Sequence, residues 1–182
     1  MNWFTADLHL GHANIIKYCD RPYKSLEDMN NALIRNWNER VKPEDTVYHI
    51  GDFCFKTGRE GSGVSPLEFE TKLNGKIIHI LGNHDRNNTL KNSIFEASIF
   101  FDKKVWKMRH KPNEHVLSYG NTVPVIYLCG HVHDAWKFKE VEDRLFINVG
   151  CDVWNYRPIS SSELIRQVSF YANKINKKVL AC

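Results

Sequence analysis

Lys76-Ile77-Ile78-His79-Ile80-Leu81 runs straight into Gly82-Asn83-His84-Asp85. The first six residues, largely apolar and β-branched, read as a strand. The four that follow read as a polar loop opened by a glycine that permits a tight turn. The same grammar recurs along the chain: Asn2-Trp3-Phe4-Thr5-Ala6 leads into Asp7-Leu8-His9, and Thr46-Val47-Tyr48-His49-Ile50 into Gly51-Asp52. Val123–Leu128 leads into Gly130-His131-Val132-His133. Four strands therefore end in carboxylate, imidazole or amide groups, and ligands of open α/β sheets gather beyond the carboxyl ends of strands.

Helical patterns separate these runs. Ser25-Leu26-Glu27-Asp28 has the form of a capping box, and Met29, Leu33, Ile34, Trp37 and Val41 recur at helical spacing, which predicts a helix over about 26–41. Lys42-Pro43-Glu44-Asp45 stops it. Pro66–Leu73 is helical in pattern with Gly75 as its C′ residue. Ser161–Asn176 places Leu164, Ile165, Val168 and Tyr171 on one face. The glycine-bearing stretch Lys56–Pro66 reads as a loop that follows a ligand-bearing strand and suits substrate selection. Val105–Arg109 and Leu145–Val149 add strands, while the stretch 88–120 carries no clear pattern otherwise. This order predicts a mixed α/β (α+β) sandwich rather than a bundle or an all-β barrel.

The chain has 182 residues, 42% hydrophobic and 25% charged, which predicts one domain over 1–182 with a frayed basic tail at 173–182. No apolar run approaches the roughly 18–20 residues of a membrane span, and no secretory leader opens the chain, so a cytoplasmic location is expected. The net charge of +4 permits an anionic substrate without demanding nucleic acid. The five cysteines, Cys19, Cys54, Cys129, Cys151 and Cys182, include no CxxC pair, which argues against a disulfide framework or a zinc knuckle.

Imidazole, carboxylate and amide oxygen together suit divalent ions such as Mn²⁺, Fe²⁺, Zn²⁺ or Ni²⁺. The motifs offer more donors than one ion uses. Two ions sharing a carboxylate would use them all, and such a pair clamps a phosphate and lowers the pKa of a water held between the ions. A histidine close by suits protonation of a leaving oxygen near neutral pH.

The series D-x-H, G-D, G-N-H-D, a middle histidine and G-H-x-H resembles that of the calcineurin-like metallophosphoesterases over Trp3–Asp152. The opening Thr5–Ile16, the run Asp45–Phe53 and the later Cys151–Pro158 are similar to a compact subgroup of bacterial and phage members. The resemblance implies two facing mixed sheets flanked by helices, with the site at one end. Asp7, His9 and His133 would hold one ion and Asp52 would bridge. Asn83, His131 and the middle histidine would hold the second, and His84 would sit beside the scissile phosphate, donating to it or protonating the leaving oxygen. His110, in Arg109-His110-Lys111-Pro112, is the middle histidine on this matching, and His115 is its rival.

The implied activity is hydrolysis of phosphate mono- or diesters by attack of a metal-bridging hydroxide, with Mn²⁺ the first choice of metal. A small nucleotide-type substrate is expected ahead of DNA or RNA, since the chain has no appended domain to hold a polymer. A non-catalytic metal- or nucleotide-binding module is the other class. No D-R-G sequence follows Gly51-Asp52, which argues against a phosphoprotein substrate. The residues make no case for a particular oligomeric state.

His12 is a candidate substrate contact. His49 reads as a satisfied core histidine or one that supports a ligand, rather than as a ligand itself, and His79 as structural. Asp85 reads as support for the site or as a cap, and Asp152 with Arg157 as a structural pair. Trp136, Trp154 and Tyr156 read as packing rather than stacking platforms. Lys103, Lys104, Lys107, Arg109 and Lys111 read as a solvated face that can also steer an anion.

Overall fold

The computed structural model describes residues 1–55, 63–85, 90, 92–113, 123–142 and 144–174. Parallel strands β1 (Asn2–Thr5), β2 (Thr46–Ile50) and β3 (Lys76–Ile80) join the short antiparallel β9 (Ile159–Ser160) in the order β3-β2-β1-β9. A second sheet has the order β4-β5-β6-β8-β7. Its strands are β4 (Ala97–Phe101), β5 (Lys104–Met108), β6 (Val125–Cys129), β7 (Phe138–Val141) and β8 (Arg144–Asn148). Here β5, β6 and β8 are parallel, and the edge strands β4 and β7 are antiparallel to their neighbours. Two mixed sheets with few helices form the expected sandwich. A parallel bridge between Ala6 and Gly150 ties the sheets at the end where all six parallel strands finish.

One apolar core lies between the sheets. Phe4, Ile50 and Ile80 meet Trp106, Met108, Ile126, Leu128, Leu145 and Ile147 there, and α4 (Ser161–Lys174) adds Leu164, Val168 and Ala172. A second cluster covers the other face of the four-stranded sheet. It brings Val47 and Phe53 against Ile15 of α1 (Ile15–Tyr18), Met29, Leu33 and Trp37 of α2 (Leu26–Asn38) and Phe69 of α3 (Pro66–Glu70). Full burial of each such side chain is worth about 1.5–3 kcal/mol.

Several boundaries differ from the sequence reading. Helix α2 ends at Asn38, and Val41 is buried on the turn beyond it. Ser25 accepts from the Asp28 N–H, but the Asp28 carboxylate turns to the Lys24 N–H, so only half of the box forms. The full capping box is Ser65 with Glu68 at the start of α3. That helix stops at Glu70, so Gly75 is not its C′ residue; with φ +89° it makes the turn into β3, against Val41 and the Asp45 carbonyl.

Strand β4 was hidden in the sequence. It pairs with β5 across Asp102-Lys103, whose φ values of 50° and 55° make a primed hairpin turn without the usual glycine. Charged β5 is still half buried, because Lys104, Trp106 and Met108 face inward and the Lys104 ammonium is bonded to Asp102. Most of the loop at 56–66 (56–62), the rival His115 and the tail from 175 lie outside the described residues. Among the described residues no helix is long and apolar enough to cross a membrane.

Candidate metal centre

The four motifs and His110 meet where β1, β2, β3, β5 and β6 end. Asp7, His9 and His133 bring ligand atoms within 4.8 Å of one another, and so do Asp52, His110 and His131. Asp52 joins the two groups: its Oδ2 lies 3.5 Å from His9 Nε2 and 3.2 Å from His110 Nε2. Asn83 Oδ1 is 3.1 Å from the same His110 nitrogen. His110 Nδ1 donates to the Ile50 carbonyl at 2.9 Å, which leaves Nε2 facing two oxygens.

Close approach explains the glycines better than turn freedom does. Only Gly51, at φ +86°, needs a left-handed backbone, and a Cβ there would also strike His110. A Cβ on Gly82 would strike Asp52, and one on Gly130 would strike Asp7. Each glycine thus clears space for a ligand from another loop. Asp7, His9, Asp52, His131 and His133 have φ between 46° and 70°. Each left-handed residue costs about 1–2 kcal/mol. Bonds between loops hold these turns: the Asp7 N–H donates to Gly51 O at 2.9 Å and the His9 N–H to Asp52 O at 3.0 Å.

A buried carboxylate behind the centre fixes two loops at once. Asp85 accepts from the N–H groups of Asp52, Phe53 and Gly82 at 2.7, 3.0 and 2.8 Å. This is the supporting role; the segment that Asp85 would otherwise cap lies outside the described residues. On the opposite side Asp152 accepts from Arg21 at 2.8 Å and lies 3.0 Å from His133 Nδ1. Arg21 also donates to the Asp7 and Leu8 carbonyls. Asp152 therefore does not pair with Arg157, which faces Glu39 instead. Arg21 escaped the sequence reading because Asp20-Arg21-Pro22 looks like an ordinary turn.

His84 is exposed at the mouth, with its N–H on Asp52 Oδ1 at 2.9 Å. His12 is buried against Phe55, at a ring distance of 4.4 Å, and lies in the same cavity of about 380 Å³ as His9, His84 and His133. His49 differs from the expectation of a satisfied histidine: it is fully buried, and neither ring nitrogen has a hydrogen-bond partner among the described residues. His79 packs 5.8 Å from it, with Nε2 3.1 Å from Glu70. The indole N–H of Trp154 donates to the Asn148 carbonyl, and Tyr156 packs on Tyr23, so both serve packing.

The residues fit divalent ions. His9 is 2% exposed with neither ring nitrogen hydrogen-bonded among the described residues, and burial keeps it neutral by pushing its pKa well below the usual value. Two buried carboxylates face four imidazoles, which is the hard-to-borderline donor set that such ions prefer. Burial, the largest influence, pushes Asp7 up to about 7. Burial also opposes charge on Asp52, but His110 and His9 hold it below the usual carboxylate range. For His133 burial opposes charge, yet bonds to Asp152 and Cys19 raise it to about 10.

A pH dependence follows. Without metal, Asp7 keeps its proton up to about 7 and His133 up to about 10. Ligation needs both protons gone, so a divalent ion would have to displace them. Apparent affinity should rise with pH from about 6 to 8, by up to about tenfold per unit for each proton displaced. Calorimetric titration in buffers of different ionisation heat measures both the affinity and the proton release. A flat affinity across that window contradicts the assignment.

The parallel strands of the sandwich thus bring polar loops to one paired cluster of histidines and carboxylates. The calcineurin-like phosphoesterase superfamily domain matches residues 4–162, and the chain belongs to that family. An uncharacterized protein of Methanocaldococcus jannaschii is 33% identical over 170 residues, covering 91% of this chain and 90% of that one. The gene 66 protein of Mycobacterium phage D29 is 37% identical over 84 residues, which are 46% of this chain and 40% of the phage protein. A solved structure of a protein of unknown function from Aquifex aeolicus is similar with a TM-score of 0.70 and 25% identity, covering 92% of this chain and 99% of that one.

Proposed function

We propose that this chain is a phosphoric ester hydrolase that uses two divalent ions, Mn²⁺ by preference, on a small nucleotide-type mono- or diester. The observation that carries the reading is Asp52 Oδ2, placed between His9 Nε2 and His110 Nε2 at 3.5 and 3.2 Å. Asp7, His9 and His133 would hold one ion, Asn83, His110 and His131 the other, with Asp52 shared. Bound there, the ions would polarise the phosphate oxygens and acidify an attacking water.

The protein's own groups do the rest. Asp152 holds His133 in one orientation through Nδ1, and the Ile50 carbonyl does the same for His110. Asp85 keeps the Asp52 and Gly82 loops in register. His84 stands at the cavity mouth, where its ring protonates the leaving oxygen as the phosphorus–oxygen bond breaks. His12 lines the same cavity and would contact the phosphate. The cavity of about 380 Å³ suits a nucleotide-sized ligand.

Hydrolysis of p-nitrophenyl phosphate and bis-p-nitrophenyl phosphate, in EDTA and then in excess Mn²⁺, tests this reading. Turnover that needs Mn²⁺ supports it, and the preferred ester separates monoesterase from diesterase. Bound metal with no turnover of either ester moves the reading to a binding module. For His84→Ala the expected result is a kcat lower by about 10²–10⁴-fold with metal content unchanged. The bond from His84 to Asp52 comes from the backbone and survives the substitution. Loss of both ions would contradict the role.

A further inference from the structure

We propose that a groove leading from Asn83 and His110 over Arg109 and Lys111 to Lys107 binds a second phosphate of the substrate. The substrate is then a phosphodiester whose far arm carries a phosphate of its own. This rests on the phosphoester reading above and narrows its substrate class.

The groove begins at the metal centre. A cavity of about 250 Å³ is lined by Gly82, Asn83, Phe95 and His110 together with Arg109 and Lys111. Arg109 and Lys111 also line a further cavity of about 310 Å³, which reaches Lys107, Tyr127 and Phe146. A ligand held at Asn83 and His110 therefore meets these cations next. Met108 and His110 point inward, so the alternation of an extended chain turns Lys107 and Arg109 to the other side, roughly 6.5 Å apart.

Aromatic rings seat two of the cations in advance. The Arg109 guanidinium lies 4.5 Å from the ring centroid of Phe95, which is 58% exposed, and the Lys107 ammonium 5.9 Å from that of Tyr127. Such seating lowers the entropy lost when an anion binds. Among the described residues lining the larger cavity, Glu96 is the one carboxylate against three cations. Lys111 is exposed and lines both cavities. The basic run is thus more than a solvated face: it is one wall of a concave, net-positive path continuous with the centre.

The probe is thymidylyl-thymidine with and without a terminal phosphate, placed at the 5′ end in one sample and the 3′ end in another. Affinity is measured in EDTA, and kcat/KM in excess Mn²⁺. The expected result is about tenfold tighter binding and a KM lower by a similar factor for one phosphorylated form. The gain shrinks as salt rises. Lys107→Glu with Arg109→Glu should abolish the gain, and melting temperature and Mn²⁺ content report whether that variant folds. If it does not fold, Lys107→Ala tests the same point with a smaller, several-fold loss. Equal affinities for all three probes, or a gain that survives the substitutions in a folded variant, overturn the proposal. Turnover of bis-p-nitrophenyl phosphate without the phosphate gain sinks the groove alone. Phosphate-dependent binding without turnover leaves the groove standing and removes hydrolysis.

Discussion

Asp52→Asn should lower Mn²⁺-dependent hydrolysis of bis-p-nitrophenyl phosphate by at least about a thousandfold. The substitution is isosteric, so the packing of Asp52 against Gly82 survives. Its orientation is also set. Oδ1 accepts the His84 N–H at 2.9 Å, and an asparagine keeps its one oxygen there. The amide nitrogen must then take the place of Oδ2, between His9 Nε2 and His110 Nε2. Two donor protons and no negative charge would stand where two cations are to share an oxygen. Metal content by elemental analysis should fall along with activity. Activity within tenfold of the parent would mean that Asp52 is not the shared ligand.

The sequence showed the site more clearly than the sheets that carry it. Motif residues sit at strand ends, and a strand end is marked by its own residues: an apolar run, a glycine, a polar group. That local signal placed Asp7, Asp52, Asn83 and His131 at one end of the sandwich without knowledge of strand order. Strand β4 gave no such signal, because it is a half-exposed edge whose turn, Asp102-Lys103, uses neither asparagine nor glycine. The left-handed backbone at five candidate ligands was equally hidden. Aspartate and histidine disfavour it locally, and only bonds between loops compensate. Gly82 and Gly130 were visible as residues, but their reason was not, since the atoms they make room for come from Asp52 and Asp7 on other loops. Long-range polar partners were the least legible. Asp152 reaches back 131 residues to Arg21, and nothing in its neighbourhood excluded Arg157.

That partnership carries the second large effect. Arg21→Ala should destabilise the metal-free chain by about 3–5 kcal/mol, because it strips a buried carboxylate of its fully buried cation and leaves it only the half-buried His133. The side chain of Arg21 is fully buried and that of Asp152 is 2% exposed, so water cannot replace the guanidinium without reorganisation. The Asp7 and Leu8 carbonyls lose donors at the same time, at the turn where Asp7 is left-handed. A domain of this size should melt roughly 6–20 °C lower. The loss should extend to metal. Asp152 orients His133 through Nδ1, and loosening such a support typically weakens metal binding by about 10–100-fold. Combining Arg21→Ala with Asp152→Ala separates the two contributions of the arginine. If the ion pair dominates, the double variant is less destabilised than the sum of the single ones, since no unpaired charge remains buried. If the costs simply add, the bonds to the Asp7 and Leu8 carbonyls are what Arg21 supplies, and its task is to hold the first ligand loop in its strained turn.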